Sequence, residues 1–128
     1  MGIEPTSVHN KVDTISIGPL QTAITATDVI AAFNMPYDGY FIGASMAAGT
    51  IDAANADETY VLTITEGATT ICTLTFPRAT AADTPVVGTP TAAQQMVAKD
   101  STIKATLTLG GTSPSITLAY IILSFVRA

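Results

Sequence analysis

One histidine, one cysteine and ten carboxylates are the residues from which catalytic or metal chemistry would ordinarily be assembled in this chain. His9 lies in a polar N-terminal stretch. A nucleophile needs a base within hydrogen-bond reach and a third group to orient that base, and nothing near His9 supplies either. Cys72 falls in the alternating run TTICTLTF, where a free cysteine packs as a small hydrophobe. Asp52, Asp57 and Glu58 share the loop IDAANADET with Asn55. Hard cations take such oxygens, but the spacing is not that of an EF-hand loop and its glycine is missing. Nitrogen and sulfur ligands do not cluster as zinc needs. GGTSP carries no lysine after it and precedes a strand rather than a helix, so it is not a phosphate loop. With no tryptophan, a sugar would have to stack on Tyr37, Tyr40 or Tyr60. The reading is of a protein that is not an enzyme and takes no cofactor, metal or small-molecule substrate.

The elements that would position these groups are strands. The 128 residues suit one domain; 48% are hydrophobic and only 12% charged, against about 25% charged in an average soluble domain. Threonine and alanine fill the difference, and β-branched threonine favours pleated surfaces. A charge-poor, threonine-rich exterior suits a protein that works inside an assembly. The net charge is −5, and Lys11, Arg78, Lys99, Lys104 and Arg127 are scattered. Nucleic-acid binding needs basic groups gathered on one face, and an acidic balance opposes adsorption to anionic lipid. No apolar run reaches the roughly 18 residues of a membrane span. The first residues lack the basic and apolar regions of a signal peptide. The expectation is therefore no nucleic acid, no membrane, and synthesis and assembly in a cytoplasm.

Along the chain, residues 1–20 read as an extended N-terminal arm, strand-like at KVDTISIG and ended by Gly18–Pro19. Residues 21–128 read as a sandwich domain. QTAITATDVIAAFNMP holds one or two strands, because its β-branched residues lower helix propensity. After the Asp38–Gly39 turn, Tyr40, Ile42, Ala44 and Met46 would share a strand face, with Gly43 marking a bulge or close approach. Tyr60–Thr65 and Thr69–Phe76 form a hairpin by pattern and turn chemistry. Leu62, Ile64, Cys72, Leu74 and Phe76 would point inward, and Val61, Thr63, Ile71 and Thr73 outward. The proline-rich stretch 77–95 reads as a loop or crossover with a short edge strand at Val86–Val87. Thr102–Leu109 alternates again, and GGTSP would close a second hairpin with the final strand. Seven or eight strands without a helix predict an all-β protein: a single antiparallel β-sandwich, jelly-roll-like.

The final stretch, SITLAYIILSFVRA, is apolar on both sides. Ile116, Leu118, Tyr120, Ile122 and Val126 fill one face, taken as the inner one. Ile121, Leu123 and Phe125 make the other face apolar, and are expected to pack against a neighbouring subunit. An apolar strand left bare would be an aggregation hazard.

MPYDGYFIGASM, DAANADETYVLTITEGATTICTLTF and STIKATLTLGGTSPSITLAYIILSF succeed one another as a turn-led strand, an Ala/Asn/Asp loop, a hairpin and a terminal strand pair. In composition and order, residues 20–128 resemble the small β-sandwich decoration (cement) proteins of tailed-bacteriophage capsids. The resemblance implies a jelly-roll-like structural protein of the virion, often a homotrimer. It would sit on the outside of the phage head at junctions between subunits of the major capsid protein, its partner, and stabilise the shell. The N-terminal arm would grip the shell through Ile3, Pro5, Val8, Val12, Ile15 and Ile17. The alternative function is a receptor- or glycan-binding domain of a phage fibre, also β-rich. A bacterial surface adhesion module would ordinarily carry a signal peptide.

Overall fold

A computed structural model describes residues 12–52, 54–92 and 95–128, and every regular element among them is a strand. In chain order these are β1 (Val12–Ile17), β2 (Asp28–Asn34), β3 (Gly39–Ala47), β4 (Thr50–Ile51), β5 (Thr59–Glu66) and β6 (Thr69–Phe76). After them come β7 (Val86–Gly88), β8 (Gln95–Val97), β9 (Thr102–Gly110), β10 (Ile116–Thr117) and β11 (Tyr120–Arg127). All pairings are antiparallel. One sheet runs β1–β11–β3–β7, with β8 continuing β7 along the same edge of β3; the other runs β2–β9–β5–β6. The chain changes sheet at every connection between strands of these two sheets except β5–β6 and β7–β8, which gives the doubly wound order of a jelly roll. The short pair β4–β10 closes one end.

The sheets enclose one core. Phe41, Met46, Ile121, Leu123 and Phe125 from the first meet Tyr60, Leu62, Ile64, Leu74, Phe76, Ile103 and Leu107 from the second, each at most 2% exposed. The Phe41 and Phe125 rings lie 5.4 Å apart and are tilted by 60°, an arrangement aromatic pairs favour. Inward Leu62 and Ile64 and outward Val61, Thr63 and Thr65 obey the alternation expected of the β5–β6 hairpin. Ile71 does not. The register shifts opposite it, and it is buried beside Cys72, under a segment that bridges Cys72 through Pro90 and donates Thr91 N to Ile71 O at 2.9 Å.

Three further expectations change. Gly110–Pro114 does not close a hairpin, because β9 and β11 belong to opposite sheets; it is a crossover. Val12–Ile17 is not part of an arm. It pairs along its whole length with β11, and Ile15 and Ile17 pack on the core. Ile3, Pro5 and Val8 lie outside the described residues. Finally, Ile121, Leu123 and Phe125 are fully buried inside this one chain, so they cannot form a subunit interface. The cause lies at Leu118, whose φ of 52° is in the left-handed region that a leucine seldom adopts. It separates β10 from β11 and reverses the facing of the later strand. Ile116 is buried, yet Ile122 and Val126, which alternation would place beside it, look outward.

Two substitutions test this assignment. Phe125→Ala should lower stability in urea unfolding by about 3–5 kcal/mol, the usual loss on truncating a buried ring. Ser124→Ala, on the outer side of the same strand, should stay within about 0.5 kcal/mol.

Candidate interaction surface

The two outer faces of the sandwich differ in chemistry. Outward positions on β5, β6 and β9 hold Thr63, Thr65, Thr73, Thr75, Thr106 and Thr108, aligned across the strands as Thr73–Thr63–Thr106 and Thr75–Val61–Thr108. Lys104 joins them beside Thr65. Hydroxyls and a charge keep this face wet.

Among the described residues, the outer face of the five-stranded sheet carries no charged side chain at any outward strand position. Antiparallel register places Val12, Val126, Tyr40 and Met96 in one row across four strands. Thr14 and Ser124 make a polar middle, and Ile122, Ser45 and Val87 line up beyond it. The large side chains are open to solvent: Val87 is 72% exposed, Met96 53%, Val12 47% and Ile42 43%. Ile42 projects because it is the extra residue of a bulge, with Ser124 opposite Gly43 and Phe125 opposite Phe41. That bulge, foreshadowed by Gly43, is also why Phe41 turns inward and Tyr40 and Ile42 do not. At the far end, a groove of about 460 Å³ has Ser45, Ala47 and Ile122 as its floor and Pro19, Pro85 and Leu118 among its walls. Leu118 is 44% exposed there.

His9 lies outside the described residues, and the loop carboxylates considered for chemistry make local hydrogen bonds. Asp57 accepts from Thr112 Oγ1 at 2.9 Å and Thr112 N at 3.3 Å, which holds its carboxyl below the usual range. Asp52 accepts from Ala54 N at 2.8 Å, and Glu58 accepts from Asn55 N at 2.7 Å. Among the described residues no three acidic, histidine or cysteine groups are placed to hold a metal ion. Gly111 (φ 92°) lets the next crossover lie directly on Asp57 and Glu58, where a Cβ would strike their backbone. Of the aromatics, Tyr60 is buried, donating from its hydroxyl to Asp52 O (3.0 Å) and accepting from Ser115 N (3.0 Å). The Tyr37 hydroxyl donates to Asp13 Oδ2 at 2.8 Å, and the Arg127 guanidinium lies 4.4 Å above its ring. Arg127 also reaches Asp13 Oδ2 at 3.2 Å. This triad clasps β1, the end of β11 and the turn before β3. Of the three tyrosines considered for sugar stacking, Tyr40 alone is presented on an outer strand face. This uncharged outer face was not legible in the sequence, since the row Val12–Val126–Tyr40–Met96 joins residues from four separated segments.

No protein-family model matches the chain, and no curated protein matches it. Among solved structures, a chain in the structure of infectious bursal disease virus, Gx strain, is similar over 94% of this chain, with a TM-score of 0.51 at 13% identity. The match spans about a third (34%) of that chain. The likeness is one of fold: the all-β antiparallel sandwich also occurs in a chain from a virus structure.

Burial predicts an alkaline limit to stability. It pushes the Cys72 thiol above its ordinary 9.0 and the Tyr60 phenol above 10.0. It also raises Tyr37, assisted by the hydrogen bond to Asp13 and that residue's charge, with Arg127 opposing. The folded chain keeps protons that the unfolded chain releases, so these contributions are complete below the unfolded values and fade as pH rises past them. Urea midpoints should fall as pH rises above 9.0 and further above 10.0, and Cys72→Ala should remove the earlier part of the decline.

Proposed function

We propose that this chain is a structural protein of a virus particle, and specifically a decoration protein on the outside of a tailed-phage head. It would bind at junctions between major capsid subunits, assemble as a homotrimer and stabilise the shell. The observation that carries the reading is the jelly-roll strand order, shared in fold over nearly the whole chain with a chain of a virus structure. Its two outer faces support it: one threonine-rich and hydrated, one uncharged and open for contact. Such a role needs a stable body and many repeated modest contacts, which together resist pressure by multivalency. It needs no substrate, cofactor, nucleic acid or membrane. The fibre alternative draws less support, because Tyr60 is buried and Tyr37 lies under Arg127.

The test is add-back. Heads purified without this protein should take it up to a saturating copy number on their outer surface, seen by cryo-electron microscopy, and should rupture at a higher temperature once decorated. Heads that bind none, or bind it without any gain in heat resistance, would refute the role. Removing residues 1–10, which include Ile3, Pro5 and Val8, should abolish uptake while leaving the sandwich folded.

A further inference from the structure

We infer that the unpaired edge of β1 is a strand-docking site, and that its occupant is the chain's own preceding segment, residues 3–8, folded back through a turn at residues 9–11. The two sides of the sandwich differ in a way that calls for such a cover. On one side the end strands β6 and β7 meet, and Cys72, Leu74 and Phe76 of β6 are at most 2% exposed. On the other side the end strands are β1 and β2, among the described residues. There Ile15, Ile17, Ala31 and Phe33 pack against the core but are only partly buried. β1 pairs with β11 alone, so its other edge presents a row of unpaired N–H and C=O groups, a template for a further strand.

Side-chain pattern selects the occupant and its register. With a three-residue loop at His9, Asn10 and Lys11, the antiparallel partners are Val8 with Val12, Ser7 with Asp13, Thr6 with Thr14, Pro5 with Ile15, Glu4 with Ser16 and Ile3 with Ile17. On the inner side Pro5 and Ile3 then cover Ile15 and Ile17. On the outer side Val8 extends the row Val12–Val126–Tyr40–Met96, Thr6 joins Thr14, and Glu4 stays in water. A slip of one residue in either direction turns Ile3 outward and sets Glu4 beside Ile15 or Ile17, since each such slip reverses the facing of the whole strand. A slip to a five-residue loop restores the facing but strands Val8 in the turn and sets Pro5 beside the Asp13 carboxylate. Three-residue hairpin loops are common, and Asn10 is of a type that turns favour.

Connectivity favours the same occupant. The segment is joined to Val12 through the loop alone, and so short a tether holds it at an effective concentration of about a millimolar or more. The strand it adds is also a fitting last one. Pro5 has no N–H to donate and Glu4 carries charge, and both discourage a further strand from pairing outside it. The arm thus blunts an edge that would otherwise invite aggregation. The inference concerns the chain alone and stands independently of the virion reading.

The experiment uses the full chain. Alternate β1 amides point to β11 and the others to the free edge. By hydrogen exchange read residue by residue, the edge-facing amides should exchange at least about tenfold more slowly in the unaltered chain than in Ile3→Asp or Val8→Asp. The amides of β9 should be alike in all three, which confirms that each is folded. A second measurement fixes the register. In a Cys72→Ala chain, Thr6→Cys with Thr14→Cys should oxidise to a disulfide within one chain. Glu4→Cys with Thr14→Cys, a diagonal pair, should stay reduced because its Cα atoms lie too far apart. Edge-facing amides that exchange equally fast in the unaltered and substituted chains would overturn the inference. So would equal oxidation of both cysteine pairs, or a Thr6→Cys to Thr14→Cys bond that joins two chains, since the edge would then be bare or held by another copy.

Discussion

Two sheets can share a core only if every strand keeps its large apolar side chains on the inner side, and the rest of this structure depends on that constraint. β11 bears most of it. It is hydrogen-bonded to β1 on one side and β3 on the other, and it contributes Ile121, Leu123 and Phe125 to the centre. Strict alternation fails twice around it. Leu118 resets the facing before β11 begins, and the Ile42 bulge resets it within β3. With these two shifts Phe41 and Phe125 meet across adjacent strands, although Phe41 has the wrong parity for Ala44 and Met46.

Satisfying the interior leaves two exteriors of unlike character. Cross-strand threonines carry hydroxyls that water can solvate and β-branched methyls that suit the pleat. The other face exposes valine, methionine, isoleucine and tyrosine, with no charge at its described outward strand positions. Scattered surface apolar residues are ordinary, whereas a contiguous patch marks a site of interaction. A sequence so poor in charge can place most of its few ionic groups at strand ends and loops, with Lys104 in β9 an exception. There they cap turns, as Asp57 does with Thr112, or clasp strands, as Asp13 does with Arg127 and Tyr37.

The sequence made the fold class readable because period-two patterning is strong in β5, β6 and β9, and because proline and glycine punctuate the crossovers. It also placed Cys72 inside and Val86–Val87 in a short strand. It misled wherever a residue left the regular strand conformation. Alternation carried from Ile116 through Leu118 put the wrong side of β11 outward, and Ile71 hid a register shift. The apparent hairpin at GGTSP failed because strands adjacent in sequence need not share a sheet. β1 looked like an arm because six residues of modest hydrophobicity do not reveal that a partner strand more than a hundred residues later will pair with them. The uncharged outer face was unreadable for the same reason: its rows exist only once four segments are in register.

That pairing of first and last strands has one more consequence. Val12 lies opposite Val126, at the Cα separation of about 5 Å typical of neighbouring strands. Polypeptide entering at Val12 and polypeptide leaving at Arg127 therefore share one corner. A domain with this geometry is a cassette: it can be spliced into a loop of a host protein, or have its ends joined and new ones opened elsewhere, without disturbing either sheet. The same sandwich can thus stand alone or occupy a fraction of a longer chain, as its counterpart does in the viral chain that it matches in fold.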